Sequence, residues 1–159
     1  MPIIVRPAKK EDHPHLTRMV RQIAQMHLNL RPDIFRPEGQ QFDKKQLATM
    51  LKDPDRPILV AQNGQGAVLG YVLLQVKSVG GEHPVLRPRQ YLLVDGLHVD
   101  EAARGQGIGA LLMDATREVA KSRGIGNIEL NVWECNEGAM RFYERLGFTT
   151  QRRTLELDI

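Results

Sequence analysis

Residues 104–110, Arg-Gly-Gln-Gly-Ile-Gly-Ala, place glycines at 105, 107 and 109, between an apolar stretch ending at Val99 and a periodic apolar stretch. Glycine leaves the backbone unshielded by side chains. The first N–H groups of a helix have no acceptor within it and point outward. The helix dipole adds partial positive charge there, and Arg104 adds a full one. This chemistry cradles a phosphate. The phosphate loop of nucleoside triphosphatases is excluded, because no Gly-Lys-Ser/Thr follows. The dinucleotide pattern is met formally by Gly105, Gly107 and Ala110, with Glu129 further on. That fold needs more strand–helix units than the chain offers after Trp133. A plain tight turn, with glycines needed only for packing, is the third reading.

The elements that must position this turn follow from periodicity. Ile3–Arg6 reads as a first strand. Asp12–Leu28 carries Leu16, Met19, Val20, Ile23 and Met26 at helical spacing. Asn29–Glu38 is a proline-bounded loop. Asp43 caps a short helix through Leu51, with Phe42 placed to pack back on its first turns. Pro57–Ala61 and Val68–Lys77 are strands joined by the Asn63-Gly64-Gln65-Gly66 hairpin. Ser78–Arg89 is a long loop or hairpin tip, and Tyr91–Val99 an apolar strand. A helix through Ile108, Leu111, Leu112, Ala115 and Val119 ends near Gly124. Asn127–Trp133 is a strand. Asn136 caps a last helix with the stripe Ala139, Phe142, Tyr143 and Leu146. Gly147 stops it, and Phe148 latches it. Arg153–Leu157 reads as a closing strand. The order β-α-α-β-β-β-α-β-α-β predicts an α/β (α+β) domain over residues 1–159, a mixed sheet with helices on both faces.

Composition narrows the classes. The chain has 159 residues, 42% hydrophobic and 26% charged, which is globular rather than disordered. No apolar run is long enough for a membrane span, and the N-terminus lacks the pattern of a secretory signal. One cysteine, Cys135, excludes an intramolecular disulfide framework and an all-cysteine metal site. A cytoplasmic setting without a metal is the simplest expectation. The net charge of +3 is scattered, and aromatics are 5%, so no nucleic-acid partner is expected.

Arg104-x-x-Gly107-x-Gly109, after a Leu-x-Val strand end, resembles the acyl-CoA motif of the GNAT superfamily of N-acetyltransferases. Asn136-x-x-Ala139-x-x-Phe142-Tyr143-x-x-Leu146-Gly147-Phe148 resembles that family's later motif. The resemblance implies a mostly antiparallel central sheet with a splay between its central strands. It also implies direct transfer of an acetyl group from acetyl-CoA to a primary amine on a small molecule or peptide. A homodimer is a further implication. The alternative is a non-catalytic acyl-CoA-binding sensor that keeps only the turn.

By this resemblance, the main chain of Leu97, His98 and Val99 would pair with the pantetheine arm. The amides of Arg104, Gly105, Gln106, Gly107, Ile108, Gly109 and Ala110 would hold the pyrophosphate. Asn136 would face the pantetheine. Tyr143 would face the sulfur and protonate the leaving thiolate, and an amide near Val99 would serve the oxyanion. Asp95, beside Gly96 where the family often carries an acid and a bulge, is a candidate base; Glu134 and ordered water are others. Asp95 alternatively pairs with a nearby amide or Arg89. Cys135 reads as a small buried hydrophobe or, against the family's direct transfer, an acyl acceptor. His98 lacks the neighbouring ligands of a zinc site. His27, at a helix end that favours a cation, and Phe35 are candidates to line the acceptor side, and Trp133 is either core or an acyl wall. Arg31, Arg36, Arg87 and Arg89 suit an acceptor bearing a carboxylate.

Overall fold

A computed structural model describes residues 2–37 and 42–159. Strands β1 (Ile4–Pro7), β2 (Ile58–Gln62), β3 (Val68–Val79), β4 (Arg89–Val99) and β5 (Ile128–Leu130) lie in the order β1-β2-β3-β4-β5. The first three pairings are antiparallel, and β4 runs parallel to β5. The helices are α1 (His13–Leu30), α2 (Lys44–Leu51), α3 (Ile108–Ser122) and α4 (Glu137–Arg145).

Strand alternation divides the core into two layers. On β2, Ile58 and Val60 face one cluster while Leu59 and Ala61 face the other. Leu16, Met19 and Val20 of α1 and Leu47 of α2 fill the first, together with Phe42. Ile108, Leu112, Met113 and Ala120 of α3 fill the second, and Phe142 and Leu146 of α4 pack at its rim. Helices therefore cover both faces. Asp43 caps α2 by accepting from Gln46 N at 2.7 Å, while the Gln46 side chain returns to the Asp43 N–H at 3.0 Å. Gly70 on β3 lets α3 approach closely: a Cβ there would lie 3.1 Å from the His98 carbonyl and from Ile108 Cγ2.

Two irregularities shape β4. Leu73 pairs with Gly96 and Leu74 with Val94, so Asp95 is the extra residue of a bulge. The bulge shifts the alternation by one. Leu92 and Val94 face α3 before it, and Leu97 and Val99 after it, which turns His98 to the α1 side. Pairing with β5 covers only Leu92–Val94, whereas β4 continues to Val99. The sheet is splayed from Asp95 onward. Asp100 N–H donates to Leu69 O at 2.8 Å. By the two-residue alternation of an antiparallel ladder, His98 also faces β3, and the N–H and C=O groups of Leu97 and Val99 face the opening.

Three expectations require correction. The last strand stops at Leu130 instead of Trp133, because the splay removes the ladder partner beyond Val94. Arg153–Leu157 forms no strand; residues 148–159 are irregular, with no ladder partner among the described residues. The first helix runs past Leu28 to Leu30 and ends at Arg31, whose backbone (φ −138°, ψ 70°) has left the helical region that a following Pro32 disfavours. The Glu38 end of the expected loop lies outside the described residues.

Candidate active site

Beyond Val99 the chain makes one short 3-10 turn, Glu101–Ala103, and enters the glycine segment. Gly105 and Gly107 hold φ of +79° and +75°, where a side chain is strained. Nothing lies within 4 Å of a Cβ built on either, and Arg104 through Gly107 are exposed. Gly107 is the N-cap of α3 and supplies no side-chain cap, so the first amides of α3 have no acceptor within the helix. Ile108 is buried and anchors the helix start against β3 at Gly70. Gly109 serves packing instead. A Cβ there would stand 3.0 Å from Phe142 Cζ, so its absence lets α4 dock on the start of α3.

That docking brings Tyr143 to the same region. Its ring packs edge-on against Phe142 and Phe148, at 5.1 and 5.5 Å between centroids. Burial pushes its hydroxyl up to about 12. The hydroxyl bonds to no described residue, yet no buried side-chain polar atom among the described residues lacks a partner. Its oxygen must therefore reach open space. Gly147 at φ +94° turns the chain so that Phe148 N–H meets Tyr143 O at 3.1 Å, fixing the Phe148 latch. Asn136 caps α4, its Oδ1 accepting from Ala139 N at 3.2 Å, which leaves its amide nitrogen without a partner among the described residues.

Asp95 is exposed on the bulge and makes no ion pair or hydrogen bond with a described residue. Arg89 does not reach it, because Arg89 Nη1 bonds Glu129 Oε2 at 2.5 Å across β4 and β5. Glu134 is also exposed. Cys135 is exposed as well, so the reading of it as a buried hydrophobe fails: it lies in the loop that follows the shortened β5.

On the α1 side, His27 stacks on Phe35 at 4.9 Å, and Phe35 meets Trp133 edge-on at 5.3 Å. These rings connect the end of α1 to the segment leaving β5. Trp133 is 38% exposed, so it is not core. Burial lowers the His27 pKa, which opposes the cation that the helix end favours. Arg31 lies over Trp133 at 5.8 Å and is held by both Asp33 (2.7 Å) and Glu156 (2.9 Å). Arg31 and Arg89 are thus each paired with carboxylates of their own chain.

One network went unpredicted from the sequence. Asp100 is buried and accepts from Arg18 Nε at 3.0 Å, from Gln22 Nε2 at 3.4 Å and from Ala102 N at 3.2 Å. Gln22 Oε1 meets His98 Nε2 at 2.9 Å. Burial raises the Asp100 pKa, but the Ala102 N–H, Arg18 and Gln22 outweigh it and hold the carboxyl below its ordinary value. His98 moves down to about 4, through burial first and then Arg104, with Asp100 opposing and His27 adding to the fall. The network ties α1 to the end of β4 just before the glycine turn. Its available signals were Arg18 and Gln22 at i and i+4, and an Asp directly after a strand. Among the described residues, no three His, Cys, Asp or Glu side chains gather as a metal site, and no helix is long and apolar enough to cross a membrane.

A splayed mixed sheet whose central strand leads into an open, amide-lined helix start defines the fold class. The chain belongs to the acetyltransferase (GNAT) family, whose model matches residues 21–148. It is 27% identical to the thialysine N-epsilon-acetyltransferase of Bos taurus over 154 residues, covering 91% of this chain and 83% of that one. It is 36% identical to the mycothiol acetyltransferase of Beutenbergia cavernae over 98 residues, covering 61% of this chain and 29% of that one. The matched part is 41% of an N-acetyltransferase from Methanocaldococcus jannaschii, so several relatives are much longer than the shared region. A tetramutant of the BH1408 protein from Bacillus halodurans superposes with a TM-score of 0.91 at 29% identity, covering 98% of this chain and 99% of that one.

Proposed function

We propose that residues 1–159 form a single N-acetyltransferase domain that moves an acetyl group from acetyl-CoA to a primary amine by direct transfer. One observation carries the reading: the stretch of β4 left unpaired on its β5 side leads through one short turn to a helix start at which Gly105 and Gly107 open onto empty space. Both halves fit a ligand with an amide-bearing arm and a diphosphate. Leu97 and Val99 would pair with the arm as an added strand, across from His98, whose main chain is turned to β3. The amides from Arg104 to Ala110 would hold the diphosphate, and the free Asn136 amide would face the arm. Bound acetyl-CoA supplies an activated thioester.

This chain's residues supply the rest. The Tyr143 hydroxyl stays protonated at neutral pH, so it is a donor for the leaving sulfur. Asp95, exposed on the bulge at the start of the splay, accepts the proton of the incoming ammonium directly or through water. A strand N–H near Val99 donates toward the carbonyl oxygen. His27, Phe35 and Trp133 wall the acceptor side. Names of relatives in this family include thialysine and peptidyl-lysine acetyltransferases, which supports a small-molecule or peptide amine as acceptor.

The test pairs calorimetric titration of acetyl-CoA with thiol release across a panel of amines. Binding with turnover of at least one amine supports the proposal. Binding with no turnover for any amine leaves the sensor reading in its place, and absence of binding overturns both.

A further inference from the structure

Two buried polar side chains on the α1 side of the sheet take no part in the chemistry above. Tyr71 of β3 is 2% exposed and packs in the layer filled by α1. His98 of β4 is its register partner, buried and turned to the same side. The two ring centroids lie 6.4 Å apart. A Cβ on Gly96 would stand 3.9 Å from Tyr71 Cε2, the carbon next to the one that bears the hydroxyl. The hydroxyl end of Tyr71 therefore lies beside Gly96, next to Asp95 on the bulge where the splay begins.

The hydrogen bonds around His98 fix which of its ring nitrogens carries the proton. Gln22 Oε1 accepts from the Glu101 N–H at 3.3 Å, and Gln22 Nε2 donates to Asp100 Oδ1 at 3.4 Å. A main-chain N–H only donates and a carboxylate only accepts, so the Gln22 amide has one orientation. Its Oε1 then accepts from His98 Nε2 at 2.9 Å. Burial keeps the ring neutral, with a pKa of about 4, so Nδ1 is left with a bare lone pair. Burial also pushes the Tyr71 hydroxyl up, so it stays protonated. Neither Tyr71 Oη nor His98 Nδ1 bonds a described residue, yet no buried side-chain polar atom among the described residues lacks a partner. Both atoms must therefore meet open space.

We infer that Tyr71 Oη and His98 Nδ1 bind the acceptor amine through its N–H groups, on the α1 side of the bulge. The inference rests on the acetyl-transfer reading above and names the groups that hold the acceptor. His27, which walls the acceptor side in that reading, lies near enough to act on His98 by charge. The ligand class follows from the inventory of donors and acceptors. Nδ1 only accepts, and the tyrosine hydroxyl does either. An amine N–H satisfies Nδ1, whereas a carboxylate in the same place would meet its lone pair. Gln22 is a positioning residue: it touches no acceptor and holds the His98 proton on Nε2.

The test uses the amine of the panel that the parent turns over fastest. Tyr71→Phe and His98→Gln should each raise its KM about tenfold, the scale of one lost hydrogen bond, while the KM for acetyl-CoA stays within about twofold. The glutamine amide reaches as far as Nε2, so it keeps the Gln22 contact and loses the Nδ1 acceptor. His98→Asn does the reverse, because Asn Oδ1 stands as many bonds from the main chain as Nδ1, and it should bring the amine KM back to within about threefold of the parent. A role in packing alone reverses that order, with glutamine tolerated and asparagine not, and such a result overturns the inference. An unchanged amine KM in either Tyr71→Phe or His98→Gln overturns it too, and leaves the transferase reading standing. A parent that turns over no amine overturns the transferase reading and this inference with it. Ring nitrogen-15 spectra at neutral pH should show His98 protonated at Nε2 only; a proton on Nδ1 removes the acceptor and the inference.

Discussion

Tyr143 and His98 are both shifted by burial, with opposite consequences. Burial keeps the Tyr143 hydroxyl protonated, so its value lies in donating. Tyr143→Phe removes the donor and keeps the ring contacts with Phe142 and Phe148. Turnover should fall by about 10²-fold or more, the usual range for a general acid, while acetyl-CoA affinity stays within about threefold. Equal losses in both would reduce Tyr143 to a binding role. His98 is held neutral: its pKa is about 4 in the folded chain against 6.5 for the free side chain. Between those values the unfolded chain binds the extra proton, so stability falls as pH drops from 6.5 toward 4. His98→Gln should reduce the fall in melting temperature across that window, leaving the part that the lowered His27 contributes. Asp12 and Asp100 act lower down. Burial raises both, but Arg6 and the Lys9 N–H hold Asp12 below 3.8, and the Ala102 N–H with Arg18 and Gln22 does the same for Asp100. Their stabilisation is present above 3.8 and is lost as pH falls through the lowered values, so the His98 variant should still unfold in acid.

At the scale of elements, the glycine turn divides its work between two glycines and a third. Gly105 and Gly107 are required by positive φ and face open space; Gly109 is required by the Phe142 ring. Gly107→Glu combines a strained backbone with a carboxylate in the anion cradle, and acetyl-CoA binding should become undetectable by calorimetry. Gly109→Ala pushes a methyl into Phe142, and overpacking of this kind costs about 1–3 kcal/mol. Its expected signature is a lower melting temperature with a weakened α3–α4 contact, visible as loss of the Tyr143 effect on turnover. A Gly109→Ala protein as stable and active as the parent would place that contact outside the site.

At the scale of the whole molecule, α1 and the sheet are joined by two buried carboxylates, Asp12 just before α1 and Asp100 just after β4. Asp12 accepts from Nη1 and Nη2 of Arg6, each at 2.9 Å, fixing the start of α1 on β1. Asp100 takes Arg18 and fixes α1 on the end of β4, one short turn before the glycines. Asp100→Asn keeps the size and removes the charge that meets Arg18. Breaking a buried pair from one side costs about 3–5 kcal/mol. Because this pair is half-exposed at Arg18, the loss should be smaller, and it should be accompanied by weaker acetyl-CoA binding as the turn loosens. Unchanged binding in a destabilised protein would confine Asp100 to folding.

Local information was enough for much of this. Periodicity and capping residues located all four helices and the strands of the hairpins, because side-chain spacing and caps such as Asp43 and Asn136 act within a few residues. The glycine turn was legible for the same reason: positive φ and bare amides are properties of the segment itself. Other features depend on partners distant in sequence. Arg153–Leu157 alternates like a strand but has no ladder among the described residues, and Asn127–Trp133 loses its ladder where the splay begins. The pairing of Arg31 with Glu156, the stack of His27 on Phe35 and the burial of Asp100 beneath Arg18 and Gln22 join residues that only the folded chain brings together. Burial and charge at those places arise from what the fold packs alongside, and no spacing along the chain encodes them.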